Sequence, residues 1–229
     1  MTVAGKRSEA GRGDVSPCPG HGDTPCPQLS RITTELESLR DSDHAAKEAK
    51  YFRAYPGGYG EGDRFRGIRM PVLRGIAKKY RDISNETVTC LLRSSFHEDR
   101  MLAVLVMVNR FRRASSGGRR RIEERREIYE MYLTHTACIN SWDLVDVSAP
   151  HIVGAMIAEH GEPREILDTL VKSDSLWERR IAVLSTFHFI RHGEIGESLS
   201  IVERLLGDAH DLIHKACGWM LRESAKRDR

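Results

Sequence analysis

The feature that most constrains the fold is a block that recurs along the chain: a charged first turn, a basic residue, then a small-apolar run at helical spacing. It is present in HEDRMLAVLVMV from His97, LWERRIAVLSTF from Leu176 and DLIHKACGWMLRE from Asp211. Arg180 and Lys215 hold equivalent places 35 residues apart, and Asp146 precedes Arg180 by 34. A period of this order, built from helix pairs, predicts an α-solenoid of the HEAT or armadillo kind. Side chains in the same register of stacked repeats line one surface. Asp146, Arg180 and Lys215 are therefore expected to follow one another along a single face, the concave one.

From Ser30 onward the apolar spacing is helical and period-two alternation is absent, so the fold class is all-α. Helices are predicted over 30–54, 71–80, 85–94, 97–113, 119–135, 141–159 with an interruption at Pro150, 163–172, 175–191, 197–206 and 210–226. Pro71 and Pro163 suit first turns, and Ser141 can cap the amides left open at a helix start. Residues 1–29 are rich in Gly, Pro, Ser and charge, with almost no large apolar residue before Leu29. They read as a disordered tail, leaving 30–229 as the folded domain. The turn-rich loop GGYGEGD, Gly57 to Asp63, lacks the Gly-Lys-Ser/Thr of a phosphate-cradling loop and follows no strand, which argues against nucleotide binding.

The chain is 229 residues long, 40% apolar and 30% charged, enough to bury a proper core without covalent staples. Its longest apolar run, Met101 to Val108, is far short of the roughly 20 residues that span a bilayer. Lys6, Arg7 and Arg12 are not followed by an apolar stretch, so neither a membrane association nor a signal peptide is expected, and the location is read as cytoplasmic. Cysteines 18, 26, 90, 138 and 217 read as reduced thiols. Cys18, His21 and Cys26 lack a second ligand pair at finger spacing, so no metal is expected. The net charge of +3 is mild, but eight arginines against Glu123 and Glu124 lie between Arg110 and Arg126. That local excess, with Arg119, Arg120 and Arg121 at its centre, is of the kind that meets phosphate; two solvated helix ends are the alternative.

In SWDLVD, Trp142 and Asp146 are four residues apart and emerge on one side of a helix, while Leu144 points into the core. Trp219 stands at the same offset from Lys215. Two indoles and a carboxylate thus converge with a basic side chain between them. Arg179 and Arg180 sit in a first turn, where the helix macrodipole disfavours cations. An anionic partner, Asp146 or a phosphate, would offset that cost, as could Glu178 or solvation.

The strings YFRAYPGGYGEGDRFRGIRMPVLR, INSWDLVDVSAPHIVG, LWERRIAVLSTFHFIRHG and DLIHKACGWMLRE closely resemble the AlkD-like DNA alkylation repair family of HEAT-like-repeat DNA glycosylases, from about Tyr51 to the C-terminus. The resemblance implies a C-shaped stack that cradles duplex DNA on a basic concave surface and excises N3- and N7-alkylated purines in base excision repair, without metal or cofactor. It implies a bacterial-type, nucleoid-associated protein, and a monomer is expected. By motif position the catalytic aspartate falls on Asp146, the first tryptophan on Trp142, the cleft arginine on Arg180 and the second aromatic on Trp219. Arg180 and Lys215 are then expected to hold phosphate near the lesion. Relatives usually continue past the position of Arg229, so the C-terminal cap is expected to be short. The resemblance also implies a lesion left stacked rather than extruded, a point on which the residues themselves leave both possibilities open.

The residue types suit that chemistry. A cationic alkylpurine is already a good leaving group, and the sugar becomes oxocarbenium-like as the bond breaks. A carboxylate beside it stabilises that charge and orients water, while indole faces favour a cationic base by about 0.5–2 kcal/mol. Asp146, facing solvent, is expected to contribute little to the fold. The other reading is a non-catalytic HEAT-like module that binds DNA structures or a protein partner.

Overall fold

The structure is a computed structural model that describes residues 27–114, 119–162 and 164–227, and of residues 119 and 120 only the backbone. Its helices are α1 (Pro27–Ser38), α2 (Ser42–Tyr51), α3 (Met70–Lys79), α4 (Asn85–Leu92), α5 (His97–Arg113), α6 (Arg119–Thr134), α7 (Trp142–Ala149), α8 (Ala155–His160), α9 (Glu165–Val171), α10 (Leu176–Arg191), α11 (Gly196–Leu205) and α12 (Asp211–Ala225). A 3₁₀ turn precedes α7, and a π-helical turn, Pro150–Gly154, joins it to α8. Among the described residues the only β pairing is a bridge between Arg64 and Phe96.

The helices form an all-α solenoid of two layers. α3, α5, α7, α10 and α12 follow one another in contact, and α4, α9 and α11 back onto α5, α10 and α12. Packing on several sides explains why Met101 to Val108 of α5 and Ile181 to Thr186 of α10 are buried at every position rather than along one stripe. Their sequences carry no solvent face because the architecture gives them none. Among the described residues no helix is long and apolar enough to cross a membrane.

Three expectations change. The predicted helix over 30–54 is two helices, because the Asp41 carboxylate accepts the His44 amide at 2.9 Å and starts α2 afresh. α1 is already helical at Pro27, before the predicted helix start at residue 30: Gln28 Oε1 accepts from the Ser84 amide at 3.2 Å, tying α1 to the start of α4. Cys90 is disulfide-bonded rather than reduced, whereas Cys138 and Cys217 are free. The tail and its Cys18, His21 and Cys26 lie outside the described residues, as does Pro163.

The interruption expected at Pro150 is the π turn. Proline supplies no amide for the preceding turn, so the hydrogen-bond ladder is re-registered there. The bend carries Gly154 against α10 so closely that a Cβ would lie 2.2 Å from the Ser185 carbonyl oxygen.

Candidate functional site

Two helix starts build the site. Ser141 is extended, and α7 then turns Trp142 and Asp146 to one side and buries Leu144 and Val145 on the other. Ser175 caps α10, which places Arg179 and Arg180 in its first turn. The first turns of α5 and α10 are built alike. Ser94 Oγ bonds Asp99 at 2.7 Å and Arg100 donates to the Ser94 carbonyl; Ser173 Oγ bonds Glu178 at 2.5 Å and Arg179 donates to the Ser173 carbonyl. In this register Arg180 takes the place that Met101 holds in α5.

Arg180 is 5% exposed. Its Nε donates to Asp146 Oδ1 at 2.9 Å, Nη2 to Oδ2 at 2.8 Å, and Nη1 to the Leu212 carbonyl at 2.6 Å. One planar fork therefore ties α7, α10 and α12 together, a geometry that lysine cannot reproduce. Arg179 is matched in turn by Asp208, with contacts of 2.6 and 3.3 Å. The cost of two cations in a first turn is met by carboxylates from neighbouring repeats. Burial pushes the Asp146 carboxyl up, Arg180 pulls it down, and the balance stays above the ordinary value. The Asp146 side chain is 18% exposed, with Arg180 across its carboxylate and its open side toward the cleft.

That cleft, about 480 Å³, is lined by Trp142, Asp146, Arg180, Lys215 and Trp219 together. Spacing had placed these five on one face, and the structure does so. Lys215 is exposed and pairs with Asp211 at 2.9 Å, and Trp219 rests on Phe187 with ring centres 5.4 Å apart. Arg121 does not line it and donates to the Arg113 carbonyl at 3.1 Å; the side chains of Arg119 and Arg120 lie outside the described residues. Their neighbours in the run are matched by acids: Arg113 by Asp82 and Arg125 by Glu159, both at 2.7 Å, Arg126 by Glu162 at 2.5 Å, and Arg110 by Glu124 at 3.8 Å. Glu124 is already within the run, so the three acids from outside it, Asp82, Glu159 and Glu162, offset half of the local excess of six charges.

Sequence reasoning missed the wall opposite α12. Tyr51, Arg53 and Tyr59 complete the cleft from the end of α2 and the glycine-rich loop after it. The loop is wound tightly: Arg53 has φ of 52°, and Tyr59 Oη donates to the Tyr51 carbonyl at 3.4 Å. The signal was the run of aromatics and glycines in YFRAYPGGYG, which carries the family resemblance but assigns no role to these three side chains.

Behind Trp142 the support is aromatic and charged. Phe52 stacks on the indole at 5.5 Å and on Phe65 at 5.4 Å, and the His97 ring sits 4.8 Å from Phe52 and 5.1 Å from Phe65. Burial alone would lower the His97 pKa. Asp143, 2.8 Å from Nε2, and Asp63, 3.6 Å from Nδ1, outweigh it and raise the imidazole to about 9. Asp143 correspondingly falls below the usual carboxylate range. The cation packed against Phe52 and Phe65 supports the ring on which Trp142 stacks.

A family model described as DNA alkylation repair enzyme matches residues 32–229. Among solved structures, a predicted DNA alkylation repair enzyme from Enterococcus faecalis is similar over 83% of this chain and 85% of its own, with a TM-score of 0.59 and 18% identity. At that identity the likeness is one of fold. No curated protein matches. With a helical-repeat stack, one cleft that gathers the quoted motifs, and a family match running from α1 to the C-terminus, the chain belongs to the DNA alkylation repair enzyme family.

Proposed function

We propose that the protein is a DNA glycosylase that releases positively charged N3- and N7-alkylated purines from duplex DNA. The observation that carries this reading is Asp146, gripped through both oxygens by Arg180 and opening into a cleft that also holds Trp142 and Trp219. A carboxylate fixed before the reaction needs no reorganisation when the sugar becomes cationic, which is where such groups act most strongly. The indoles favour a charged base over a neutral one, and the alkylated purine leaves without being protonated.

We propose for Arg180 a positioning role in place of the phosphate contact expected of it. Its Nε and both terminal nitrogens are engaged by Asp146 and the Leu212 carbonyl, so it positions the carboxylate. Phosphate contacts near the lesion then pass to Lys215, Arg53 and Arg222, which border the same cleft. The non-catalytic reading draws on the same ion pair, since a purely structural Asp146 would also be gripped on both oxygens.

Mass spectrometry of bases released from methylated duplex DNA separates the two. Release of 3-methyladenine or 7-methylguanine by the folded protein supports the glycosylase. Retention of every methylated base, with duplex binding intact, leaves the binding module.

A further inference from the structure

A second cavity shares walls with the cleft. It encloses about 680 Å³, within the range of about 300–1,000 Å³ usual for small-molecule sites. Tyr51, Trp142 and Asp146 line both spaces, so the two adjoin. The rest of the lining is largely apolar, with Phe52, Ile68, Leu73 and Met101 contributing. Into it the fold turns two carboxylates that the cleft chemistry does not use. Glu48 of α2 lies three residues before Tyr51 and so on the same side of the helix, and Glu98 belongs to the first turn of α5.

Glu98 is 2% exposed. Its Oε1 takes the amides of Arg66, Gly67 and Ile68, which leaves Oε2 buried without a donor. Glu48 Oε2 is in the same condition, and Glu48 Oε1 stands 3.6 Å from the His44 ring. The charged groups that line the cavity around Glu48 are His44 and Lys47 of its own helix, His97 and Glu98 of α5, and Asp143 and Asp146 of α7; α3 brings only Met70 and Leu73. His97 is committed to Asp143 and Asp63, Asp146 to Arg180, and Lys47 is exposed. The charge left without a match inside is that of the Glu48 and Glu98 pair. Burial, then Glu98, raises the Glu48 carboxyl to about 7, with Asp143 adding and His97 opposing. Near neutral pH one proton thus serves two carboxylates. Among the described residues no three acids, histidines or cysteines converge as metal ligands. A flat cation with N–H groups suits the lining instead: carboxylates accept its protons and ring faces attract its charge.

We propose that the cavity beside Trp142 binds an aromatic cation bearing N–H groups, held by Glu48 and Glu98 against Tyr51, Phe52 and Trp142. Two sources share this chemistry. One is the cationic purine of an alkylated duplex, swung out of the base stack, and that source rests on the glycosylase reading. The other is an amidine or amine cation taken from solution. The linkage has a defined sign. A bound cation favours the Glu48 carboxylate, so its pKa falls below the value of about 7 in the unliganded protein. Binding then releases a proton, and affinity rises as pH rises through that value.

Two measurements on the full chain test the site and its source. Benzamidine, charged at every pH used, and benzamide, its neutral isostere, are titrated by calorimetry between pH 6 and 8.5. Benzamidine should bind at least about 10-fold more tightly than benzamide, the scale of one hydrogen bond to a charged group, and several-fold more tightly at the upper pH than at the lower. Glu48→Gln, at a partly exposed position, should remove both the preference and the rise with pH. Equal affinity for the two probes, or a Glu48→Gln variant that behaves as the unaltered protein, would overturn the site. The source is read from a duplex in which the sugar of 7-methylguanine carries a 2′-fluorine, which keeps the glycosidic bond intact, and the neighbouring base is 2-aminopurine. Extrusion unstacks that neighbour, so its fluorescence should rise several-fold on binding, and less with Glu48→Gln. No rise, with benzamidine still bound, assigns the cavity to cations from solution. Benzamidine binding by a protein that releases no methylpurine fails the glycosylase reading and leaves this site standing.

Discussion

At the scale of single residues, the Asp146–Arg180 pair does two things that the sequence separates poorly. A catalytic carboxylate on an open face contributes little to stability, and that is the expectation the WDLVD spacing alone supports. The structure gives Asp146 a partner that is 6% exposed at its side chain and bonded on three sides. Asp146→Asn keeps an acceptor for Arg180 but leaves a buried guanidinium without its counter-charge. Removing one member of such a pair costs up to about 3–5 kcal/mol, and retaining one hydrogen bond brings this to about 1–3 kcal/mol. A fall in melting temperature of several degrees is expected, with the fold retained. Base release, measured well below that melting point, should drop at least about 10-fold, on the scale of one electrostatic stabiliser lost. Full activity in the folded variant would remove Asp146 from the chemistry. Arg180→Lys isolates positioning from charge: a cation remains, the fork does not. Single-turnover release should slow several-fold while duplex affinity holds, and an unchanged rate would reduce Arg180 to a tie between helices.

Between elements, stability concentrates where helix starts meet loops. Glu98, in the first turn of α5, accepts the amides of Arg66, Gly67 and Ile68 through one oxygen at 2.8, 2.6 and 3.2 Å, pinning the segment that leads into α3. Gly67 there has φ of 82°, and a Cβ would lie 2.2 Å from the Asp41 carbonyl oxygen, so no side chain fits. One residue before Glu98, His97 joins α5 to α7 through Asp143, and its charge gives a pH signature. Its folded pKa of about 9 is above the unfolded value of about 6.5. The stabilisation is therefore fully present below pH 6.5 and lost as pH rises through about 9. Urea unfolding of the protein and of His97→Gln at pH 6, 7.5 and 9.5 should give a stability difference that shrinks to a minimum at the highest pH. A difference constant across the series would show that His97 stabilises only as a neutral ring. Elements of this kind were legible to different degrees. The bounds of α5 and α12 agree with expectation to within a residue or so, because their apolar spacing is dense and uninterrupted. The break between α1 and α2 was hidden, since a single capping carboxylate at Asp41 decides it against a continuous helical pattern.

For the whole molecule, what sequence spacing conveys is same-face geometry within a repeat, and what it withholds is pairing between repeats. Trp142 with Asp146, and Lys215 with Trp219, were placed correctly because an offset of four on a helix fixes a shared side. The partners of the arginine-rich segment were not visible: Asp82 meets Arg113 from 31 residues away and Glu159 meets Arg125 from 34. A charge sum over a window of sequence counts the cations and leaves out acids that the fold brings to them. The question this leaves is whether Arg119, Arg120 and Arg121 serve DNA at all, given that Arg121 reaches back to the Arg113 carbonyl and the cleft lies elsewhere. Each phosphate contact contributes about 0.9 to the salt slope of duplex binding, whatever the base sequence. If these three arginines carry contacts, replacing them with alanine flattens the slope by about 2–3 and weakens damaged and undamaged duplex alike. The Asp146-dependent rate at saturating duplex should not change, because the chemistry is assigned to the cleft residues and Arg121 is not among them. Equal slopes for the protein and the triple variant would assign this segment to the solvated start of α6, and the electrostatic footprint to the cleft rim.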